Sequence, residues 1–255
     1  MKNIWVICQK ELRSYFVSPI AYILFIIYAA IFGFFFWNMV GAFIYYSMES
    51  QMRGEMFPMN VNDQIVRQLF GNINVINLLV IPLMSMRLFA EEKRNGTIEL
   101  LATSPVRDGE VILGKWLASV ILYAAMLCIA SLNFLFLFRY GNPDWKPMAI
   151  SLLGVLLQAA ALLAIGIFIS TLTKNQIIAG AITFAVCLII FVLGWVGSYQ
   201  YSTWAQVMTY ISTTTHMESF LKGVIDSKDA VYYVSVIFLG LFLTARSLES
   251  LRWRA

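Results

Sequence analysis

The chain has 255 residues, of which 60% are hydrophobic and 13% charged, and its mean hydropathy is +0.75. A water-soluble domain carries about a quarter of its residues as charges, so most side chains here must be solvated by lipid. The net charge of +4 is no nucleic-acid signal, because the basic residues form no single polar patch.

Residues 2–18 read as an interfacial amphipathic helix, with Trp5, Cys8, Leu12, Tyr15 and Phe16 near helical spacing and Lys10, Arg13 and Ser14 on another face. Pro19 suits the first turn of the helix that follows. Six charge-free runs come next: Ile20–Tyr46, Gln68–Met86, Trp116–Phe138, Pro147–Leu172, Asn175–Gly197 and Ala230–Ala245. A span needs about twenty apolar residues. The last run reaches that length as Val231–Leu248 if Arg246 snorkels to the surface. With their flanks the runs predict spans over about 20–46, 64–88, 112–138, 147–172, 175–197 and 230–248. The fold expected is an all-α integral membrane protein, read as a single domain over 1–255. The first run is too long for a signal-peptide core and lacks a small-residue cleavage site, so it is expected to stay in the mature protein.

Asn62 is the expected N-cap of span two, whose Asn74 and Asn77, with Asn72 nearby, should face protein or water rather than lipid. Either helix–helix hydrogen bonding or the lining of a substrate path accounts for them. Span four carries Gly154, Ala159, Ala160, Ala161, Ala164 and Gly166, which permit close packing and predict a buried helix. From Asn175 to Met217 no residue carries a formal charge. As one helix this run would be about 65 Å long, twice the hydrocarbon thickness, so it must break. Gly194, Gly197 and the stretch SYQYSTWAQ mark the place. A re-entrant or interfacial element over 198–229 is expected on the outer side.

Cys8, Cys128 and Cys187 stand far apart without a CxxC or Cys/His pairing and read as small buried hydrophobes. The lone histidine, His216, reads as a hydrogen-bonded structural residue. With the N-terminus inside, inner segments hold twelve Lys and Arg residues and outer segments six, which places both termini in the cytoplasm.

That orientation also puts one dense polar island, RLFAEEKRNGTIELLATSPV (Arg87–Val106), in the cytoplasm. Asn95-Gly96 signals a turn and Thr97 an N-cap. Glu99 suits the positive end of a helix, and Ser104-Pro105 stops it. The pattern predicts a short helix from Ile98 to about Thr103, with Asp108 capping the helix that becomes span three. A helix this short is unstable alone in water. Its exposed apolar residues suit docking on another protein, with the neighbouring charges orienting the pair.

The arrangement FAEEKRNGTIELLATSPV…GK resembles the loop between the second and third spans of ABC-2 type transporter permeases. The likeness extends to YFVSPIAYI (Tyr15–Ile23) and to LE…RWR (Leu248–Arg254), where it is similar to the gliding-motility and related exporter branch. The resemblance implies a six-span permease of the bacterial cytoplasmic (inner) membrane. It would pair with a second permease copy, identical or related, and rest on two cytosolic ABC ATPase subunits. It also leaves room for an accessory extracytoplasmic protein. Glu91, Glu92, Lys93, Arg94, Gly96, Thr97, Ile98, Glu99, Leu100 and Leu101 would then be the segment seated against the ATPase. Spans two and five would line a path at the dimer interface, with Asn74 and Asn77 as path-lining candidates.

The chain has no GxxxxGK[ST] run and no soluble stretch long enough for a nucleotide domain, so ATP and Mg²⁺ belong on the partner. No cofactor, metal site or catalytic residue is expected in this chain. An intramembrane protease built on Glu91-Glu92 would need wider Glu-to-Arg spacing and further histidines, and a metalloenzyme fails on the same ligand count. A secondary transporter usually places Asp, Glu or His within its spans, and the six runs hold none. A membrane anchor for a cell-surface machine, using its ATPase mechanically, stays open.

Overall fold

The computed structural model describes residues 2–53, 60–97, 106–141, 143–198 and 203–252, and their regular structure is entirely helical. Among the described residues, six helices are long and apolar enough to cross a membrane.

Helix α1 (Lys2–Val17) meets α2 (Pro19–Arg53) at Ser18, whose hydroxyl accepts the Ile20 N–H at 3.4 Å. Proline at the first position of α2 sacrifices no hydrogen bond, because that N–H would have no helical partner anyway. The second span opens with one π-helical turn, Asn62–Val66, and continues as α3 (Arg67–Ser85). The expected cap is corrected here. Asn62 lies inside the first turn, and it is the Asn60 side chain that accepts the Asn62 N–H at 3.0 Å. Asn62 instead reaches sideways, donating to Asp144 O at 3.3 Å.

A short helix, α4 (Ala90–Arg94), follows a non-helical break at 86–89. Then come α5 (Asp108–Ser131) and α6 (Phe134–Tyr140). Asp108 is the first residue of α5 rather than its cap, and the Arg107 N–H is accepted by the Glu110 carboxylate at 3.3 Å. Glu110 has the better reach, because a side chain at the third helical position folds back onto the capping residue.

The bundle is completed by α7 (Trp145–Leu172), α8 (Gln176–Ser198), the short α9 (Thr203–Ile211) and α10 (Thr213–Leu221), and α11 (Ser227–Arg252). Ser212 caps α10 by accepting the Thr214 N–H at 3.3 Å. Gly223, at φ +75°, ends it with a Val224 N–H to Ser219 O bond of 3.0 Å. This is the left-handed C-terminal stop that glycine adopts without strain.

Helix α7 is the hub, packing against α3, α5, α8, α10 and α11. In α3 and α7, 72% and 67% of the most apolar stretch is buried, against 28%, 28% and 22% in α2, α8 and α11. The last three therefore turn broad apolar faces outward. Small residues explain why α7 sits so deep. A Cβ on Gly154 would lie 2.5 Å from Phe220 Cβ, and one on Gly166 would overlap the Ser85 side chain. On α11, a Cβ at Gly240 would lie 2.7 Å from the Ala164 carbonyl carbon. Without side chains at these crossings the backbones approach closely, which lets dispersion hold helices together where lipid supplies no hydrophobic drive.

Near the other edge, Phe134 packs against Phe32, Phe36 and Phe70 at centroid distances of 5.8, 6.0 and 5.6 Å, joining α2, α3 and α6. Cys8 and Cys187 are buried as expected, but Cys128 is exposed. Among the described residues no neighbouring helix covers that face of α5, which periodicity over an unbroken apolar run cannot reveal.

The glycine crossings yield a paired prediction. Gly240→Ala should destabilise the bundle by about 1–3 kcal/mol through overlap with backbone that cannot yield. Gly41→Ala, where nothing lies within 4 Å, should be neutral or stabilising by up to about 1 kcal/mol from helix propensity. Thermal unfolding in detergent compares the two.

Candidate functional site

The sharpest polar construction lies at the end of the bundle where α1, α4 and α5 meet. Helix α1 crosses α5 at Gly114, where a Cβ would sit 2.8 Å from the Ile7 side chain. This close approach brings Glu11 beside Lys115, one residue further along α5. Lys115 is only 2% exposed. Its ammonium donates to Leu88 O at 2.8 Å and to Glu11 Oε1 at 3.0 Å, and it pairs with Glu92 Oε1 at 2.8 Å. Two hydrogen bonds and one further ion pair thus tie the ammonium to three different segments. The Phe89 ring lies 5.1 Å from the same nitrogen.

Burying an ammonium costs several kcal/mol unless such partners replace water, so the geometry is tightly specified. Lys10, largely in solvent, stands 3.5 and 3.9 Å from the same two carboxylate oxygens. Beside the group lies a cavity of about 480 Å³, whose walls include Lys10, Glu11, Arg87, Glu91, Glu92, Thr97 and Val106.

The break between α3 and α4 is what makes this possible. Once the helix stops at Ser85, its last carbonyls lose their intrahelical donors. Side chains from three other helices supply replacements. Tyr15 of α1 donates to Met84 O at 3.0 Å, and Ser170 of α7 to Met86 O at 3.2 Å, while Lys115 of α5 takes Leu88 O. The Ser170 hydroxyl also accepts the Phe89 and Ala90 N–H groups, both at 3.0 Å, so one side chain restarts the chain as α4. Burial pushes the Tyr15 phenol well above its usual range, which keeps it a donor. The Arg87 guanidinium lies over the Tyr15 ring at 4.2 Å.

The four charges of α4 divide accordingly. Glu92 turns inward to Lys115, and Lys93 donates to Thr171 O of α7. Glu91 and Arg94 face outward and are exposed. Gly96 takes a left-handed φ of +71°, as the expected turn requires. Thr97 is tied backward, its hydroxyl donating to Glu92 O at 3.3 Å. The expected helix carrying Ile98, Glu99, Leu100 and Leu101 lies outside the described residues.

Asn74 and Asn77 are both buried. Asn77 Oδ1 accepts the Tyr123 hydroxyl at 2.7 Å, and Tyr123 lies 3.2 Å from the Tyr28 hydroxyl. This chain joins α3, α5 and α2, so Asn77 performs interhelical hydrogen bonding. Asn74 Oδ1 has no hydrogen-bond partner among the described residues.

At the opposite end, His216 Nδ1 lies 2.7 Å from Asp229 Oδ1 and Nε2 lies 2.9 Å from Tyr210 O. A carbonyl only accepts, so Nε2 carries a proton. The ring also stacks on Tyr232 at 3.8 Å. With both nitrogens engaged, His216 is a fastener between α9, α10 and α11.

Lys115 and its partners were missed by reasoning from the sequence, although a signal was present. Lys115 falls inside the expected span 112–138, and a lone ammonium among apolar residues demands a buried counter-charge. Nothing in the sequence said that Glu11 and Glu92 supply it.

The family model for ABC-2 family transporter proteins matches residues 5–243. The chain belongs to the ABC-2 transporter family. The matched region runs from α1 through most of α11 and contains both Lys115 and the whole polar island. No curated protein matches the chain. As a family member, this permease is a membrane component of an ABC transporter rather than its ATPase.

Removing Lys115 alone leaves two largely buried carboxylates with only the solvent-exposed Lys10 beside them. Lys115→Met in the permease should therefore cost about 3–5 kcal/mol. The triple variant Lys115→Met/Glu11→Gln/Glu92→Gln should recover most of that loss. Unfolding midpoints of the three proteins in one detergent give the comparison.

Proposed function

We propose that this permease is the membrane-spanning subunit of an exporter driven by separate cytosolic ABC ATPase subunits, coupled to them through Glu91–Leu101. The observation that carries the reading is the fastening of α4 by Lys115. A segment that receives force from a partner must be tied to the helices it moves. Here Glu92 is held to α1 and α5 by one buried ammonium, and Lys93 and Ser170 hold α4 to α7. Glu91 and Arg94 are left exposed for a partner's surface. Charges in this arrangement steer and orient an encounter.

On this reading both termini are cytoplasmic and the chain sits in the bacterial inner membrane. A second permease, the same or related, completes the path at the dimer interface. ATP and Mg²⁺ reside on the ATPase subunits. The likeness to the gliding-motility branch rests on the Tyr15–Ile23 and Leu248–Arg254 stretches alone. The same fastening would serve a membrane anchor whose ATPase works mechanically. The two readings separate on whether ATP drives cargo across inverted vesicles.

The test uses the complex isolated from native membranes. Reversing the outward charges, Glu91→Lys with Arg94→Glu, should lower co-purified ATPase at least tenfold while leaving the thermal midpoint of the permease unchanged. Full retention of ATPase and ATP-dependent activity in that variant would reject the docking assignment. A native complex that contains no ATPase would reject the wider reading.

A further inference from the structure

The junction of α9, α10 and α11 holds one proton more than a neutral imidazole can supply. Both ring nitrogens of His216 face acceptors: Nε2 lies 2.9 Å from Tyr210 O, and Nδ1 lies 2.7 Å from Asp229 Oδ1. A carbonyl and an ionised carboxylate accept but never donate, and a neutral imidazole carries a single N–H. That N–H serves the carbonyl, so the contact with Asp229 needs a second proton. Written as imidazolium and carboxylate or as imidazole and carboxylic acid, the pair holds the same additional proton. Without it, two lone pairs would confront each other at 2.7 Å beside an uncompensated charge. Water gives little relief, because the two side chains are only 6% and 8% exposed. Such a contact opens rather than persists.

No other charge takes over. Among the described residues Asp229 makes no ion pair except with His216. On the same helix, Lys228 is drawn to Asp226 at 3.1 Å, and on α10 the exposed Lys222 and Glu218 face each other at 3.7 Å. Helix α8 carries no charged residue, Lys146 of α7 is exposed, and Arg67 of α3 is half-buried. The remaining titratable neighbours are phenols. Tyr210 lies edge-on to the ring at 5.1 Å, Tyr232 stacks on it, and Tyr233 donates to Thr213 O at 2.8 Å. Phenols ordinarily ionise at about 10, whereas imidazole changes charge between about pH 5 and 8. One group in the junction therefore titrates near neutrality, and it is this pair.

Its place in the fold gives the proton leverage. Helices α9 and α10 are the chain between spans α8 and α11, which share little direct contact. Helix α9 packs on α8, and α10 packs on α7, α8 and α11. The His216–Asp229 contact is the ion pair that fastens this connection to the first turn of α11. We infer that His216 and Asp229 form a proton-operated latch, closed while the shared proton holds α10 against α11 and opened when that proton leaves to water. A fall in pH closes the latch and a rise opens it. The latch is independent of the ATPase reading, and the permease alone suffices to test it.

Spin labels at Glu218→Cys on α10 and Val231→Cys on α11, both exposed positions, report the separation in lipid nanodiscs. Cys128→Ser removes the exposed native thiol. The distance distribution should be narrow at about pH 6, at least double in width by about pH 9, and narrow again on acidification. His216 is the only histidine, so the nitrogen resonances of a histidine-labelled sample report this ring alone. They should change over the same pH range as the distance. Asp229→Asn offers an amide N–H to a bare Nδ1, which keeps the neutral ring bound and should abolish the pH dependence. His216→Gln, whose amide donates to the Asp229 carboxylate without titrating, serves if the first variant does not fold. A distance that stays constant while the ring loses its proton would overturn the latch. So would an unchanged pH dependence in a folded Asp229→Asn or His216→Gln protein.

Discussion

The architecture at the α4 end of this permease depends on one ammonium kept out of water. The Lys115 side chain is only 2% exposed, so its charge must be met almost entirely by protein. It is met by a carbonyl that the break after α3 leaves free, and by carboxylates from α1 and α4. Each partner constrains the others. The helix break frees Leu88 O, the Gly114 crossing brings Glu11 within reach, and the short α4 turns Glu92 inward. Alter one and the remaining charges face a low-dielectric interior without compensation.

The same region is covered from the other side by α7. Ser170 takes two N–H groups and returns one hydrogen bond across the break. Thr171 accepts from Lys93 and bonds Ser247 of α11 at 2.7 Å. The hub helix is thus joined to α4 by hydrogen bonds at its C-terminal end and to α11 by the Gly240 crossing further along. Polar bonds concentrate where the chain is irregular, and small residues mediate contact where helices run past one another. This division follows from the solvent. In lipid the backbone of an irregular segment must find partners inside the protein, while regular helices need only fit.

Much of this was legible in the sequence. Six continuously apolar runs of sufficient length give six spans, because without the alternation of barrel strands only a helix satisfies their backbone in a bilayer. The glycines and alanines of the fourth span announced a buried helix. The charge-free stretch after Lys174 had to break, and α8 ends at Ser198, near the expected Gly197. Less legible was everything set by the direction of a side chain. Five nearby charges look alike in a sequence, yet Glu92 and Lys93 turn inward while Glu91 and Arg94 face outward. The π-helical opening of the second span and the lateral bond from Asn62 to Asp144 O depend on packing between segments eighty residues apart, which local propensity does not encode. Likewise Cys128 sits in an apolar run that hides which face is covered.

Coupling through Lys115 requires that α1, α4 and α5 move as one body. Spin labels placed at Trp5→Cys on α1 and Arg94→Cys on α4, both exposed positions, report their separation by electron–electron double resonance in the native complex. A second pair, Arg94→Cys with Val231→Cys at the far, exposed end of α11, reports movement against the rest of the bundle. Between nucleotide-free and ATP-trapped states, the first distance should stay constant while the second shifts. A change in the α1–α4 distance with the α4–α11 distance fixed would contradict the account.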